Sequence, residues 1–533
     1  MKNTQISGPR PRLSAAMIVC NEQDVIAETL DSIRAITDEI IVWDSGSEDE
    51  TVSIARKKGA KVFQGFWKND FSAARNACLE KVSGDWVLWL NAGEQLSADT
   101  RQKLREFIDS SAELNKAYLL MVEIPSADSR ATGEQIAQPR LLPVKAGLKF
   151  EGHVRETLYR SIQAAGLEMA VAPGRIIRHS RQHSQVRKCL LAQRDLELVA
   201  LEQAEKEEPE TRLYLAQGEA YINLGVYDKA REAFSRAIEI AEYGSSDMLE
   251  GYYGLLTCYN SDQSLRDTQI NVCFSALKIF PFDTQLLLAM GNYFQIHNLL
   301  DLAAQAFGIA VKFGKINSTS WHLCELPEVA ASFLVMILQL QGKNEEAAQV
   351  LEEALKCHPQ SARLPRVALD FYIKQGQEDK ALETAKRSGA ISGEDDPLVM
   401  AIRGACLAAT QNWTPALALL QSAYLMDCRK PLCLRWLAVT LLSNGQIESA
   451  KPVLAEWQQL EPANPELLSY LAAVQEKHAF PDAAKAEEPA DDSESALRRY
   501  RIDPGAPITE LMSIRKSVAD QSPAADSQNQ EQT

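Results

Sequence analysis

Glu39-Ile-Ile-Val-Trp-Asp-Ser-Gly-Ser-Glu-Asp-Glu-Thr-Val-Ser-Ile-Ala-Arg-Lys-Lys58 is an apolar run that ends on a carboxylate, crosses a polar turn and enters a helix. The strand covers Glu39 to Trp43. Asp44 stands at its end, Gly46 permits a tight turn, and Ser45, Ser47 and Asp49 are suited to capping a helix over Thr51 to Lys58. The same unit recurs on both sides. Ser14 to Val19 is a strand, followed by helical periodicity over 23–36 through Val25, Ile26, Leu30 and Ile33. Ala60 to Gln64 is a third strand, Ser72 to Lys81 a helix, and Trp86 to Leu90 a fourth strand. Apolar strands separated by helices of this length imply an α/β domain with a largely parallel sheet covered on both faces. Working groups in such sheets collect beyond the carboxyl ends of the strands, where Asn21, Asp44 and Asn91 fall.

The α/β pattern runs over 13–180. Residues 181–208 read as a polar linker that becomes a charged helix. From Thr211 the period changes. Tyr214, Gly218, Tyr221, Gly225, Tyr227, Ala230, Phe234 and Ala237 mark a two-helix unit, with small residues where helices approach and aromatic residues filling between them. The frame returns from Thr284 (Gly291, Phe294, Ala303, Phe307, Ala310), Glu328, Ala362, Pro397 and Pro431, with a weaker copy over 250–283. The starts at 328 and 362, and at 397 and 431, are 34 residues apart. One hairpin cannot bury its apolar face alone, so such units stack into an all-α solenoid, here over 209–480. Residues 481–533, rich in Ala, Asp, Glu, Pro, Ser and Gln, read as a mostly disordered tail with a short helix near 508–518.

Bulk composition narrows the function. The 533 residues are 46% hydrophobic, enough for more than one core. Lys and Arg number 56 against 72 Asp and Glu, a net charge of -16, which argues against nucleic acid as a partner. The ten cysteines sit mostly inside apolar helical patterns with no Cys-x-x-Cys pair, and read as small buried hydrophobes in a reducing compartment. Met1 to Arg12 lacks a signal-peptide apolar core, and no transmembrane segment of about 20 apolar residues follows. A cytoplasmic location is the expectation.

Polar residues near the strand ends are the site candidates. Asp44 faces the crevice at the end of a buried strand. Asp70 precedes the next helix, where Arg75 and Asn76 are consecutive polar groups on an Ala-rich surface; Arg75 offers either a diphosphate fork or a surface ion pair. Asn91-Ala-Gly-Glu94 ends the fourth strand, and Glu94 either faces inward or caps the following segment. Gly152-His153-Val154-Arg155-Glu156 supplies an imidazole and a carboxylate eligible as general base, with Arg155 beside them to hold phosphate or orient Glu156. Alternation along an extended segment puts His153 and Arg155 on one face and Glu156 on the other. His179 is a second imidazole candidate.

Taken in order, Met17-Ile-Val-Cys-Asn-Glu22, Glu39 to Asp49, Asp70-Phe-Ser-Ala-Ala-Arg-Asn76 and Gly84-Asp-Trp-Val-Leu-Trp-Leu90 resemble family 2 glycosyltransferases. The helical part resembles tetratricopeptide repeats, and the combination resembles the bacterial branch that carries such repeats behind the transferase domain. The resemblance covers about 13–180. It implies a GT-A (Rossmann-like) fold, a nucleotide-diphosphate sugar as donor, Mg²⁺ or Mn²⁺ as cofactor, and transfer with inversion to a glycan, lipid-linked or protein acceptor. It places Asp44 at the base or ribose of the nucleotide and Arg75 near the diphosphate. The family's metal-binding Asp-x-Asp falls on Asn91 and Gly93, which would pass the metal role to Glu94 and leave Asn91 as a neutral donor contact. Glu156 matches the acid of the later motif, with His153 as the alternative base, while Arg155 stands where the branch has histidine. A protein partner is expected to dock on the repeats. The alternatives are a catalytically inactive domain on a protein-binding scaffold and a metal-free enzyme that relies on Arg75 and Arg155.

Overall fold

The computed structural model describes residues 10–126, 132–178, 185–208, 210–260, 265–391, 393, 396–462 and 464–476. His179, the tail over 481–533 and the first part of the 181–208 linker lie outside the described residues. The chain forms two compact units, one of Met1–Met290 with Phe313–Leu326 and one of Gly291–Lys312 with Pro327–Thr533.

The first unit begins with β1 (Leu13–Val19), α1 (Ile26–Ile33), β2 (Glu39–Asp44), α2 (Thr51–Lys57), β3 (Lys61–Gln64), α3 (Phe71–Leu79) and β4 (Trp86–Trp89). β3, β2, β1 and β4 are parallel neighbours in that order. Because side chains alternate along a strand, each strand feeds two cores. Leu13, Ala15, Met17, Ile40, Val42, Trp86 and Leu88 pack with α1 on one face. Ala16, Ile41, Val87 and Trp89 pack with Cys78 of α3 on the other. This is why β1 and β4 read as unbroken apolar runs.

Beyond β4 the sheet departs from the parallel expectation. It continues through β5 (Glu94–Leu96), α4 (Ala98–Ser110), β6 (Lys116–Ile124), β7 (Glu134–Pro143), α5 (Tyr159–Ala164) and β8 (Glu168–Arg178), in spatial order β4-β7-β6-β8-β5. The β4–β7, β6–β7 and β5–β8 pairs are antiparallel, so the sheet is mixed. Only residues 90–93 link β4 to β5, which keeps the strand ends within about 17 Å along the chain. Four spacings of a flat sheet amount to about 19 Å. The sheet therefore curls back on itself, and β5 comes to rest beside α1, where Thr29 Oγ1 accepts from Gly93 N and Ser32 Oγ from Leu96 N. A further short strand, β9 (His322–Leu323), pairs with β7, although its sequence lies among the helical repeats.

The helices that follow in this unit are α6 (Gln185–Glu205), α7 (Thr211–Asn223), α8 (Tyr227–Ile240), α9 (Ser246–Asn260) and α10 (Arg266–Ile279). Phe234 of α8 fills the gap between neighbours: a Cβ built at Gly218 or at Gly254 would stand 2.6 or 2.4 Å from its ring. The second unit repeats the device. Gly291 lies against Phe307 and Gly404 against Leu420, with built Cβ distances of 2.4 and 2.7 Å. The small and large positions of the sequence repeat are thus two sides of one contact.

Phe234→Ala empties a fully buried ring site shared by three helices. The expected cost is about 3–5 kcal/mol, read as a lower midpoint in urea unfolding, and Gly254→Val is expected to lower it as well.

Candidate functional site

The candidate residues gather at the carboxyl ends of β1, β2 and β4. The turns after β1 and β2 are locked together: Asn21 N donates to Ser47 Oγ (2.9 Å), Glu22 N to Thr51 Oγ1 (2.7 Å), and Glu48 N to Asn21 Oδ1 (2.9 Å). Asp44 is fully buried and accepts from Ser47 N and Gln64 Nε2. Its carboxylate shapes the turn that follows β2.

α3 begins at Asp70, whose side chain accepts from Ala73 N. From this helix Arg75 and Asn76 reach the same segment. Asn76 exchanges two hydrogen bonds with the backbone of Phe150, and Arg75 pairs with Glu156. The Arg75 guanidinium also lies over the rings of Trp89 and Phe150, at 4.8 and 5.1 Å, and donates to Asn91 Oδ1 at 3.4 Å. Glu156, Arg75 and Asn91 therefore form one chain of contacts.

Asn91 leads on to Glu94, which is fully buried at the start of β5. One carboxylate oxygen accepts from Asn91 N at 2.8 Å. The other accepts from Arg140 Nη2 (2.9 Å), from Arg178 Nε (3.0 Å) and Nη2 (2.6 Å), and from Asn91 Nδ2 (3.2 Å). Burial alone would raise its pKa, but Arg140 and Arg178 outweigh burial and hold it below the usual carboxylate range. Burial, together with the charges of Arg178 and Arg75, brings Arg140 down to about 10 against the pull of Glu94.

These residues do not fit a divalent metal. Mg²⁺ or Mn²⁺ takes about six hard oxygen ligands. Gly93 has no side chain, Asn91 offers one neutral oxygen already facing Arg75, and the Glu94 carboxylate is engaged by two guanidinium groups. Among the described residues no group of three acidic, histidine or cysteine side chains is placed to hold an ion.

His153 and Arg155 turn away from this chain of contacts. His153 N donates to Glu202 of α6 (2.7 Å), and its imidazole lies 3.3 Å from Glu205 and 3.9 Å from Asp70. Arg155, expected at a diphosphate, sits instead between Glu219 of α7 (2.8 Å) and Glu250 of α9. Its backbone takes the left-handed region at φ 48°, which swings the side chain towards the helices. Gly152 takes φ 101°, a conformation that favours glycine, and the Arg212 guanidinium, which bonds Val154 O, lies where a Cβ would be. α6 also brings Arg194 over the Phe71 ring and Asp195 near Glu156, whose charge adds to the burial that raises the Asp195 pKa.

The sequence gives no role to Arg178, and Pro139-Arg140 offers only a vague signal for donor choice. The signal for Arg140 is a charge inside Ile136-Ala-Gln-Pro-Arg-Leu-Leu142, where an apolar strand obliges it to find a partner.

Residues 14–117 match the family model Glycosyl transferase family 2, and residues 211–243 match a tetratricopeptide repeat. An uncharacterized glycosyltransferase of Rickettsia conorii is 40% identical over 116 residues, which is 21% of this chain and 39% of that protein. A TPR repeat-containing protein of Synechococcus elongatus is 40% identical over 103 residues, 19% of this chain and 26% of that protein. The chain thus spans 26% and 39% of the length of these two relatives. A glucosyl-3-phosphoglycerate synthase of Mycobacterium tuberculosis, solved with Mn²⁺ and UDP-glucose, aligns at 18% identity over 36% of this chain and 78% of that one. Its TM-score is 0.26, a likeness that carries no weight for the chemistry. No helix among the described residues is long and apolar enough to cross a membrane.

Glu94→Ala leaves two guanidinium groups without their shared acceptor and is expected to destabilise the first unit by about 3–5 kcal/mol in urea unfolding. The folded pKa of Glu94 is depressed, so its stabilisation is complete above the unfolded value near 4.5 and fades as pH falls through the lower folded value. The gap between wild type and variant is therefore expected to hold at neutral pH and narrow below about pH 4.5.

Proposed function

The chain joins a GT-A-like domain of glycosyl transferase family 2 to a tetratricopeptide-repeat array, and from that premise we propose that it transfers a sugar from a nucleotide-diphosphate sugar to a hydroxyl acceptor with inversion. The acceptor is a glycan, a lipid-linked saccharide or a protein, and the repeats hold a protein partner. The observation that carries this reading is the Glu156–Arg75 pair beside Asn91, at the carboxyl end of the sheet.

In the proposed step the acceptor oxygen bonds to the anomeric carbon as the bond from that carbon to the β-phosphate oxygen breaks. The electron pair leaves with the diphosphate, and Glu156 takes the hydroxyl proton. Arg75 stands between base and leaving group, so it orients Glu156 in the ground state and faces the negative charge that develops. Asp44 acts by holding the turn at Ser47 against which the nucleotide lies. His153 is assigned a positioning role, since its contacts are with α6 and Asp70. Aligning acceptor and donor between these groups supplies much of the rate.

The test is release of nucleoside diphosphate from a panel of nucleotide sugars by the full chain. Turnover is expected with at least one donor, falling about 10²- to 10⁴-fold in Glu156→Gln, and by a smaller factor in His153→Gln. No turnover and no nucleotide binding across the panel would remove the enzymatic reading and leave the helical array as the working part.

A further inference from the structure

Where the family resemblance places two aspartates, the local charge has the opposite sign. The contacts around Asn91 gather three arginines, 75, 140 and 178, and two glutamates, 94 and 156, for a net charge of +1. The neighbouring Arg194–Asp195 pair cancels itself, and Asp44 lies on β2, two strands from β4. A divalent ion on two aspartates would sum to zero. A site built this way therefore presents at least as much positive charge without a metal.

The members differ in reach. The Arg140 side chain is 3% exposed and donates to Trp89 O, Gln138 and Glu94, so it is a fixed buried support. The Arg178 side chain is 32% exposed. Two of its five N–H groups go to one oxygen of Glu94, and its guanidinium lies 5.8 Å from the Trp321 ring centre. Arg75 is held by Glu156 and Asn91. The part-exposed Arg178 and the Arg75 side chain, 12% exposed, are thus both oriented before any ligand arrives, and a guanidinium is charged at every pH the protein meets.

We propose that Arg178 and Arg75 bind the diphosphate of a nucleoside diphosphate directly, in place of a divalent cation, with Arg140, Glu94 and Asn91 setting their positions. This rests on the transferase reading for the identity of the ligand. Forked N–H pairs match phosphate oxygens and form charge-assisted hydrogen bonds, which strengthen as the leaving diphosphate gains charge.

The test is calorimetric titration of the full chain with UDP, GDP and dTDP, in EDTA and then with Mn²⁺. At least one nucleotide is expected to bind in EDTA, with affinity that Mn²⁺ changes little and that salt weakens. Arg178→Gln, which keeps an amide donor towards Glu94, is expected to weaken binding about 10- to 100-fold, with partial recovery in Arg178→Lys. Thermal unfolding checks that each variant is folded, and the EDTA comparison on wild type stands without any variant. Binding only in the presence of Mn²⁺, or unchanged affinity in a folded Arg178→Gln, overturns the proposal. Mn²⁺-dependent turnover would keep the transferase and remove the metal-free site. Metal-free binding without turnover would do the reverse. No nucleotide bound under either condition would remove both.

Discussion

One buried carboxylate sets the geometry from which the site follows. Glu94 belongs to β5, accepts the Asn91 N–H in the link after β4, and takes arginines from β7 and β8. These are strands that the curl of the sheet brings round to face one another. A carboxylate in that position without partners would be very unfavourable, and the buried Arg140 guanidinium without it would be equally so. The charges and the curl therefore require each other. Asn91, held by both its N–H and its side-chain amide, is then fixed at the strand end, and Arg75 is fixed against Asn91.

A second set of contacts fixes the other side. The loop from Gly152 to Glu156 is gripped by helices that the sequence assigns to the linker and the repeats. Glu202 takes His153 N, Arg212 takes Val154 O, and Glu219 with Glu250 hold Arg155. Val154 packs with Leu198, Val199, Leu213 and Ala216. Burial disfavours the Arg155 charge, but the two glutamates outweigh it and raise its pKa. Their pull also offsets the strain of a left-handed non-glycine residue, about 1–3 kcal/mol. With Val154 and Arg155 turned towards these helices, Glu156 points the other way, where Arg75 receives it. The first hairpins are thus part of what orients the candidate base.

Much of this was legible in the sequence, and the gaps have physical causes. Unbroken apolar runs gave β1, β2 and β4, and the Gly218–Phe234 spacing gave the hairpins, because both patterns report burial along a continuous element. The expected alternation over 153–156 is not how Glu156 is parted from His153 and Arg155: the segment is a bend, with Arg155 left-handed and Val154 packed on the same helices. The pairing of β5 with β8 was not legible, since the three residues Glu94 to Leu96 carry no periodicity and their partner is more than 80 positions away. Arg178 had no local signal, and Arg155 gave a misleading one. A basic residue beside a candidate base reads as a phosphate contact until the acidic groups of α7 and α9 are placed in space. β9 is two residues long and sits in a helical stretch, so only the backbone pairing with β7 reveals it.

The arginine cluster bears on whether the domain is a working site or a scaffold. Burial is the main cause that lowers the Arg140 pKa, and the nearby charges of Arg178 and Arg75 add to it, so like charges stand close together around Glu94. A purely structural centre has simpler solutions. One arginine per carboxylate closes the charge balance, and apolar residues of similar volume are often neutral or stabilising in place of buried ion pairs. Here a second arginine meets an already paired glutamate and keeps a third of its side chain exposed. That excess makes little sense for a support, and suits a crevice in which an arriving anion completes the balance. The missing aspartates then follow from the same charge logic: with guanidinium groups in place, a carboxylate at position 91 or 93 would compete with the anion for them.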